Sequence, residues 1–203
     1  AGRYVGALSF ADDVEILMDD NATWVMTSDQ NIANVDRVRW IGGVIDGSNF
    51  SHQLAWFDCD DWMFNNVRMQ DMESVHPFNG DSGSRWAYVN VTIRAQKYAW
   101  FSLGAYNGTP TKYSDAIIAN SDLHGGIPSG AEATVRWQRV ARGVVVDSML
   151  ANDGKHDLRT HYGSREIYVR NNLLVEGTLA AMYTNGSGDS TDLVDDRLGA
   201  HWY

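Results

Sequence analysis

The sequence contains few of the residues that break or cross-link a polypeptide chain. Only three prolines and one cysteine, Cys59, occur among its 203 residues. A single cysteine excludes an intrachain disulfide and a cysteine-based metal site. Few prolines, with hydrophobic and charged contents of 44% and 21%, argue against disorder as the main state. We therefore expect one folded domain that spans residues 1–203.

Long hydrophobic runs and an excess of positive charge are also absent. Apolar runs such as residues 143–146 are far too short to cross a bilayer, so membrane insertion is not expected. The formal net charge of −10 makes nucleic acid a poor partner, because phosphate binding requires clustered lysine and arginine. No signal peptide is evident, and a chain that begins at Ala1 fits a mature protein and an expression boundary equally. Its acidity is compatible with a secreted, extracellular protein or a virion-associated one.

The sequence does contain an internal repeat, which decides the architecture. Six segments share one pattern, at residues 38–45, 62–69, 86–93, 116–123, 143–150 and 167–174. Their fifth residues, separated by 24, 24, 30, 27 and 24 positions, are Gly42, Asn66, Asn90, Asn120, Asp147 and Asn171. Their third residues are all apolar: Trp40, Phe64, Tyr88, Ile118, Val145 and Val169. Their eighth residues are apolar as well: Ile45, Met69, Ile93, Leu123, Leu150 and Leu174.

This pattern predicts short strands joined by sharp corners. The alternation within each segment has the period of a strand. Asn and Gly tolerate the left-handed backbone that a corner needs, and stacked Asn side chains can hydrogen-bond to one another. Each coil would hold three strands and bury its inner face only against neighbouring coils. We therefore predict an all-β fold, a single-stranded parallel β-helix of about six to eight coils of roughly 24–30 residues.

Two stretches resemble the pectin-lyase-like β-helix superfamily. Residues 31–47 read NIANVDRVRWIGGVIDG, similar to the run that opens the regular helix there, and residues 167–174 read IYVRNNLL, similar to its generic rung. The resemblance covers residues 14–182 and implies a right-handed helix with an elongated ligand groove along one face. Such a groove suits a polymer, as in the polysaccharide lyases, glycosidases and tailspikes of the superfamily. The fold alone does not specify the reaction.

The two ends of the chain are expected to cover the open ends of the helix. Residues 1–18 should form an N-terminal cap that includes Tyr4, Val5, Leu8 and Phe10, with the first strand at residues 14–18. Residues 184–203 should form a C-terminal loop and cap. Unpaired strand edges need such covering, because they invite aggregation. Contact with a partner chain is the alternative, as in a homo-oligomer such as a trimer.

Cationic and titratable groups concentrate between the last two segments, where the middle strand of a coil should run. If Leu158 and Thr160 point inward, Arg159 and His161 share the outer face. β-Elimination on a uronic acid needs a cation beside the carboxylate, a base and an acid. Arg159 is the candidate cation, and the candidate catalytic groups around it are Lys155, His156, His161 and Tyr162. A solvated outer strand without a catalytic role is the alternative interpretation.

Corresponding positions in neighbouring coils extend this outer face. The residues predicted to contact substrate are His52, Trp56, Trp100, Arg136, Gln138 and Arg165, with Ser102 beside Trp100. Exposed tryptophan rings would stack on sugar rings. A buried structural role is the alternative for the tryptophans.

An acidic cluster offers a second chemistry. Asp58, Asp60 and Asp61 would supply the acid and the base of an inverting glycosidase. The adjacent aspartates are similar to the polygalacturonase pattern, but the Gly-His-Gly and Arg-Ile-Lys motifs that accompany it there are missing here. Calcium bound by these carboxylates and a solvated acidic turn are the alternatives.

These patterns together indicate a protein directed at polysaccharide. The preferred reaction is that of a lyase acting by β-elimination on an acidic polysaccharide, and hydrolysis by the aspartates is the alternative chemistry. A non-catalytic structural or adhesive β-helix, such as a component of a phage tail fibre or tailspike, is the alternative from another class. No metal site is predicted, calcium being the one ion considered.

Overall fold

The computed structural model describes residues 2–50, 53–72, 78–81, 83–95, 101–104, 114–125, 134–138, 140–152, 157–161, 166–175 and 184–185, and the structural statements below concern these residues. They form 22 β-strands and contain no helix. Every strand pairing among them is parallel. After the first coil, the chain visits three sheets in turn, so the predicted all-β parallel β-helix is confirmed.

The three sheets run along the length of the helix. Sheet A contains β1 (Arg3–Val5), β3 (Thr23–Val25), β6 (Val44–Phe50), β9 (Arg68–Met72), β12 (Thr92–Ala95), β15 (Asp122–Gly125), β18 (Met149–Asn152) and β21 (Leu173–Val175). Sheet B contains β2 (Glu15–Leu17), β5 (Arg39–Ile41), β8 (Met63–Asn65), β11 (Trp86–Val89), β14 (Ser114–Ala119), β17 (Val140–Val146) and β20 (Ile167–Arg170). Sheet C contains β4 (Gln30–Ala33), β7 (Leu54–Phe57), β10 (Phe78–Asp81), β13 (Phe101–Gly104), β16 (Val135–Gln138), β19 (Leu158–His161) and β22 (Thr184–Asn185).

The polar fifth residues of the repeat form the corner between sheets B and A. Their φ angles are all positive: 78° at Gly42, 58° at Asn66, 53° at Asn90, 50° at Asn120, 51° at Asp147 and 52° at Asn171. The Nδ2 group of Asn90 donates to Oδ1 of Asn66 at 2.8 Å, and that of Asn171 donates to Oδ1 of Asp147 at 3.2 Å. The predicted left-handed corners and the predicted hydrogen bonding along the stack are both confirmed.

The interior consists of stacked columns of apolar side chains. Of the twelve repeat positions predicted to be apolar and inward, eleven are buried, and Val169 is half-buried and packs against them. The rings of Phe64 and Tyr88 stack with centroids 5.6 Å apart and planes inclined by 5°. Tryptophan fills much of the interior, and Trp40 is completely buried as expected. Large stacked aromatic side chains bury about 150–250 Å² each, so these columns dominate the energetics of the core.

The N-terminal end differs from the prediction in one respect. Residues 3–5 were expected in a cap, but they form β1, which pairs with β3 in sheet A. The strand within residues 14–18 is β2, so it is the second strand and not the first. Leu8 and Phe10 do pack against the core, the ring of Phe10 lying 5.7 Å from that of Trp62. The alternation of residues 3–5 is too short to separate a strand from a cap in the sequence alone.

The C-terminal segment is described only in part. Thr184–Asn185 forms β22, which pairs with β19, so the predicted C-terminal loop does not begin before residue 186. Residues 186–203 lie outside the described residues. In the described part of the chain, no helix has the length and apolar character required to cross a membrane.

Candidate functional site

Sheet C contains the strand on which the cationic groups were predicted to lie. In β19, Leu158 is buried, as are Val135 and Trp137 in the adjacent β16. The backbone register pairs Arg136 with Arg159 and Gln138 with His161. These four residues occupy the strand positions that alternate with the buried ones, so their positions belong to the outer face of sheet C. The predicted shared face of Arg159 and His161 is therefore consistent with the register.

The same two columns of outer positions continue along sheet C. In the first column, the register connects Arg159 and Arg136 to Ser102, and then to Asn79, Ala55 and Asn31. In the second, it connects Asn185, His161 and Gln138 to Gly104, and, farther along the sheet, Asp81 to Phe57 and Ala33. Ala55 is completely buried, so the face is covered at β7. Polar positions occur in both halves of the sheet, whereas the arginine positions, Arg136 and Arg159, lie in its C-terminal half.

The prediction that Trp56 forms a sugar platform is wrong. In the register, Trp56 aligns with Ile32, and through β10 and β13 with Trp137 and Thr160, in an inward column. Its side chain is completely buried and stacks on the ring of Trp62, with centroids 5.7 Å apart and an interplanar angle of 3°. A displacement of one residue along a strand moves a side chain to the other face, which is the physical reason for the error.

Several predicted site residues lie outside the described part of the chain. They are Lys155, His156 and Tyr162 among the candidate catalytic groups, and His52, Trp100 and Arg165 among the candidate substrate contacts. For Arg136, Gln138, Arg159 and His161, the structure describes the strand position. The predicted role of Arg159 and His161 therefore stays a prediction that rests on backbone register.

The acidic cluster lies at the corner between sheets C and B, where its carboxylates hold successive coils together. Asp58 is exposed at a corner with a φ of 50°. Oδ1 of Asp60 accepts the backbone N–H of Ser84 at 2.9 Å, and its Oδ2 lies 3.1 Å from Nη2 of Arg85. Asp61 accepts two bonds from Arg85, from Nε at 2.6 Å and from Nη2 at 2.9 Å.

These contacts favour a structural role for the aspartates over acid–base catalysis. The hydrogen bonds from Arg85, and its charge, lower the pKa of Asp61 against a smaller opposing effect of burial. A general acid needs the opposite shift, because it must be protonated at the working pH. Among the described residues, no group of three or more His, Cys, Asp or Glu side chains is arranged to hold a metal ion.

The same arrangement repeats along the corner, and it was not predicted from the sequence. Oδ1 of Asp12 accepts the N–H of Asp36 at 2.9 Å, and Oδ1 of Asp36 accepts the N–H of Asp60 at 2.8 Å. Next to this column stand residues of alternating charge, which we call the charge ladder: Asp13, Arg37, Asp61, Arg85, Asp115, Arg142 and Glu166. The signal that would have revealed the ladder is the spacing of 24 residues from Asp13 to Arg37, to Asp61 and to Arg85.

The ladder is joined by ion pairs between successive coils. Nε of Arg37 lies 2.5 Å from Oδ1 of Asp13, and Arg142 pairs with Asp115 as Arg85 does with Asp61. Asp115 raises the pKa of Arg142, with a smaller contribution from Glu166. Arg37 lowers the pKa of Asp13 through the hydrogen bond and its charge, against a smaller effect of burial.

A trough runs between the ladder and the outer face of sheet B. Its first part has a volume of about 650 Å³ and is bordered by Asp13, Arg37, Asp61 and Arg85, with Met63 and Ala87 on its floor. A second part of about 300 Å³ continues past Asp115 and Arg142, with Ile117 on its floor. The floor is charged in its first two coils, at Glu15 and Arg39, and apolar from Met63 onward, with the ladder side chains along its border.

The fold and this geometry define a three-sheet parallel β-helix with a polar outer face on sheet C and a charge ladder beside sheet B. Comparison with protein-family models, with curated proteins and with solved structures returns no match.

Proposed function

We propose that this chain is a polysaccharide-directed β-helix protein that binds an acidic polysaccharide along the outer face of sheet C and cleaves it by β-elimination. The observation that supports this most directly is the register of β16 and β19, which pairs Arg136 with Arg159 and Gln138 with His161. Such a protein would act outside the cell or on a virion.

The paired arginines favour an acidic polymer over a neutral one. Adjacent strands are about 4.8 Å apart, so two guanidinium-bearing residues stand side by side on the same face. Guanidinium groups bind carboxylates through two parallel hydrogen bonds and stay charged at all physiological pH values. In a chain with a net charge of −10, such a pair is a local site for an anionic ligand. The columns of outer positions continue from one coil to the next, which suits an extended polymer.

The proposed reaction assigns one role to each group. Arg159 neutralises the uronate carboxylate, and a base removes the proton from the carbon next to that carboxylate. The electron pair of the broken C–H bond forms a carbon–carbon double bond, the glycosidic C–O bond breaks, and the leaving oxygen takes a proton from an acid. His161 is the preferred base, because histidine is the side chain that most often transfers a proton in enzymes that work near neutral pH. Lys155, His156 and Tyr162 are the candidates for the acid.

A non-catalytic, adhesive β-helix is the second candidate function. It is favoured by the outer face of sheet B, where apolar side chains such as Met63, Ala87 and Ile117 are only half-buried. Surfaces of this kind mark contacts with other macromolecules. Hydrolysis by Asp60 and Asp61 has less support, because both carboxylates are bonded to Arg85.

The test combines two assays with a matched set of variants. The protein is incubated with acidic and neutral polysaccharides, following the absorbance of unsaturated uronates and the release of reducing ends. We expect both signals with an acidic polymer. His161→Gln should lower kcat by about 10²–10⁴-fold, and Arg136→Ala should mainly raise KM. Arg68→Ala, an exposed arginine on sheet A, is the control and should leave both constants unchanged.

The outcomes separate the candidates. Reducing ends without unsaturated product would reject elimination and direct attention to Asp60 and Asp61. Silence in both assays with every polymer would reject the enzyme and favour the adhesive function.

A further inference from the structure

The outer face of sheet B is apolar over most of its length. The register aligns two columns of outer positions, one with Glu15, Arg39, Met63, Ala87, Ile117, Val144 and Tyr168, the other with Leu17, Ile41, Asn65, Val89, Ala119, Val146 and Arg170. Ten of these fourteen residues are apolar, and all fourteen except Ala119 are half-buried or exposed. Leu17, in the first of the seven rungs, is 67% exposed. Contiguous apolar faces of this kind mark contact sites for other macromolecules.

The charge ladder along one border of this face limits the kind of partner that fits. Its members alternate in sign from coil to coil, beginning with Asp13 and ending with Glu166. Ladder side chains and outer-face side chains line the same trough, so both are presented on the same side of the molecule. A partner that fits must carry charges that alternate with the same period of one coil. A second copy of the same chain has this period.

We propose that the outer face of sheet B binds a second copy of this chain in an antiparallel dimer. A two-fold axis in the interface, parallel to the strands, places one ladder opposite the other in reversed order. If the axis passes between two rungs, every charge that has a counterpart meets one of opposite sign. If it passes through a rung, like charges meet. The alternation therefore selects the register of the dimer as well as the partner.

One position of the axis matches both the charges and the apolar side chains. With the axis between the rungs of Arg85 and Asp115, Arg85 faces the partner's Asp115, and Asp61 faces the partner's Arg142. Arg37 then faces the partner's Glu166. In the same register Met63 lies opposite the partner's Val144, and Ala87 lies opposite the partner's Ile117. The apolar part of the face is thereby centred on the axis.

The size of the face is adequate for such a dimer. The six rungs that face each other in this register are about 4.8 Å apart. With about five residues of roughly 3.3 Å between the ladder and the next corner, they give a flat area of roughly 480 Å². Side-chain relief adds to this area, so the interface lies at the small end of the range around the ~800 Å² per partner of a standard interface.

The test uses charge-swap variants that retain the ion pair between positions 61 and 85, or between positions 115 and 142, with the charges exchanged. Asp61→Arg/Arg85→Asp and Asp115→Arg/Arg142→Asp each place like charges opposite one another in the proposed register. Sedimentation equilibrium should show the wild type as a dimer and each swap variant, studied alone, at least tenfold weaker in self-association. An equimolar mixture of the two variants restores every opposite pairing, so it should form a heterodimer with the affinity of the wild type.

The control is a swap of the same chemistry on another face. Arg94→Asp/Asp122→Arg exchanges an ion pair on sheet A and should leave the dimer unchanged. Near-wild-type circular dichroism and thermal unfolding establish that each variant is folded. A monomeric wild type at micromolar concentration, or two swap variants that fail to associate when mixed, would overturn the proposal. Protection of Met63 from oxidation only when a polysaccharide is added would assign the face to that ligand instead, and would equally overturn it.

Discussion

Arg85 and Asp61 are 24 residues apart in sequence, yet Nε of Arg85 lies 2.6 Å from Oδ1 of Asp61. A second bond joins Nη2 of Arg85 to Oδ2 of Asp61 at 2.9 Å. One coil of the helix therefore brings a cation of one rung directly over an anion of the rung before it. The pair connects the repeat in the sequence to the stacking of coils in the structure.

This pair makes stability depend on pH in a defined direction. Arg85 lowers the pKa of Asp61 in the folded protein, so the pair stabilises the fold above the ordinary aspartate pKa of about 3.9. The stabilisation is lost as the pH falls through the lower pKa of the folded state. Because both side chains are more than a third exposed, Asp61→Asn should lower the free energy of unfolding by less than about 1 kcal/mol at neutral pH. Thermal unfolding against pH should show the difference shrinking in acid.

The control for this prediction is Asp58→Asn, which changes an exposed aspartate at the same corner, three residues before Asp61. It should lower the free energy of unfolding at neutral pH by less than Asp61→Asn does. A constant difference between Asp61→Asn and the wild type at every pH would contradict the role given to the ion pair.

The corner at Asn90 combines a positive φ with a hydrogen bond to Asn66. Asn90→Gly removes the hydrogen bond and keeps the backbone conformation accessible. Asn90→Ala removes the bond and also places a less tolerant residue in the left-handed region, at a cost of about 1–2 kcal/mol. We expect the alanine variant to be the less stable of the two in urea unfolding. Equal destabilisation would show that the hydrogen bond to Asn66, and not the backbone angle, determines the contribution of Asn90 to stability.

Gly143 should not tolerate a side chain. A Cβ atom there would lie 2.2 Å from Cζ3 of Trp137 and 2.8 Å from Cδ1 of Ile167. Gly143→Ala is therefore expected to destabilise the fold by about 1–3 kcal/mol through overpacking. Urea unfolding of Gly143→Ala in wild-type and Trp137→Leu backgrounds measures the effect, which should be smaller in the second background. Gly2→Ala, with no atom within 4 Å of the added Cβ, is the control; a similar loss in both variants would contradict the packing argument.

A variant at Trp56 shows whether this residue belongs to the core or to a binding site. Because its indole is completely buried among Trp62 and Tyr88, Trp56→Ala should lower the free energy of unfolding by about 3–5 kcal/mol. Truncation of the half-exposed Tyr4 to alanine should have a much smaller effect in the same denaturation experiment. A Trp56→Ala variant of unchanged stability and reduced polysaccharide binding would contradict the inward position of Trp56.

Local chemistry explains which parts of the fold the sequence predicted. The corners at Asn66 and Asn90 could be recognised because the preference for positive φ belongs to single residues. The inward columns could be recognised because each corner fixes the phase of the strands that flank it. The strands of sheet C lie farther along the chain from this corner, and the number of residues between corner and strand varies. Leu54 and Leu158 occupy equivalent inward positions, but twelve residues separate Gly42 from Leu54 and eleven separate Asp147 from Leu158. That single residue is sufficient to reverse the face assigned to Trp56.

The role of Asp60 and Asp61 could not be predicted for a different reason. Their partners, Ser84 and Arg85, are one coil away, and a contact between coils becomes visible only when the two sequences are aligned by the repeat. Read singly, two adjacent aspartates suggest acid–base chemistry. Together with Asp12, Asp36 and the charge ladder, they indicate contacts between stacked coils.

The most direct test of the proposed function is electrophoresis of the native protein through gels that contain an acidic polysaccharide. The wild type should be retarded by at least one acidic polymer and not by neutral ones, and Arg136→Ala/Arg159→Ala should migrate as it does without polymer. The Arg68→Ala control should be retarded as the wild type is. Unchanged mobility of the wild type with every acidic polymer, or equal retardation of the double variant, would contradict binding along the outer face of sheet C.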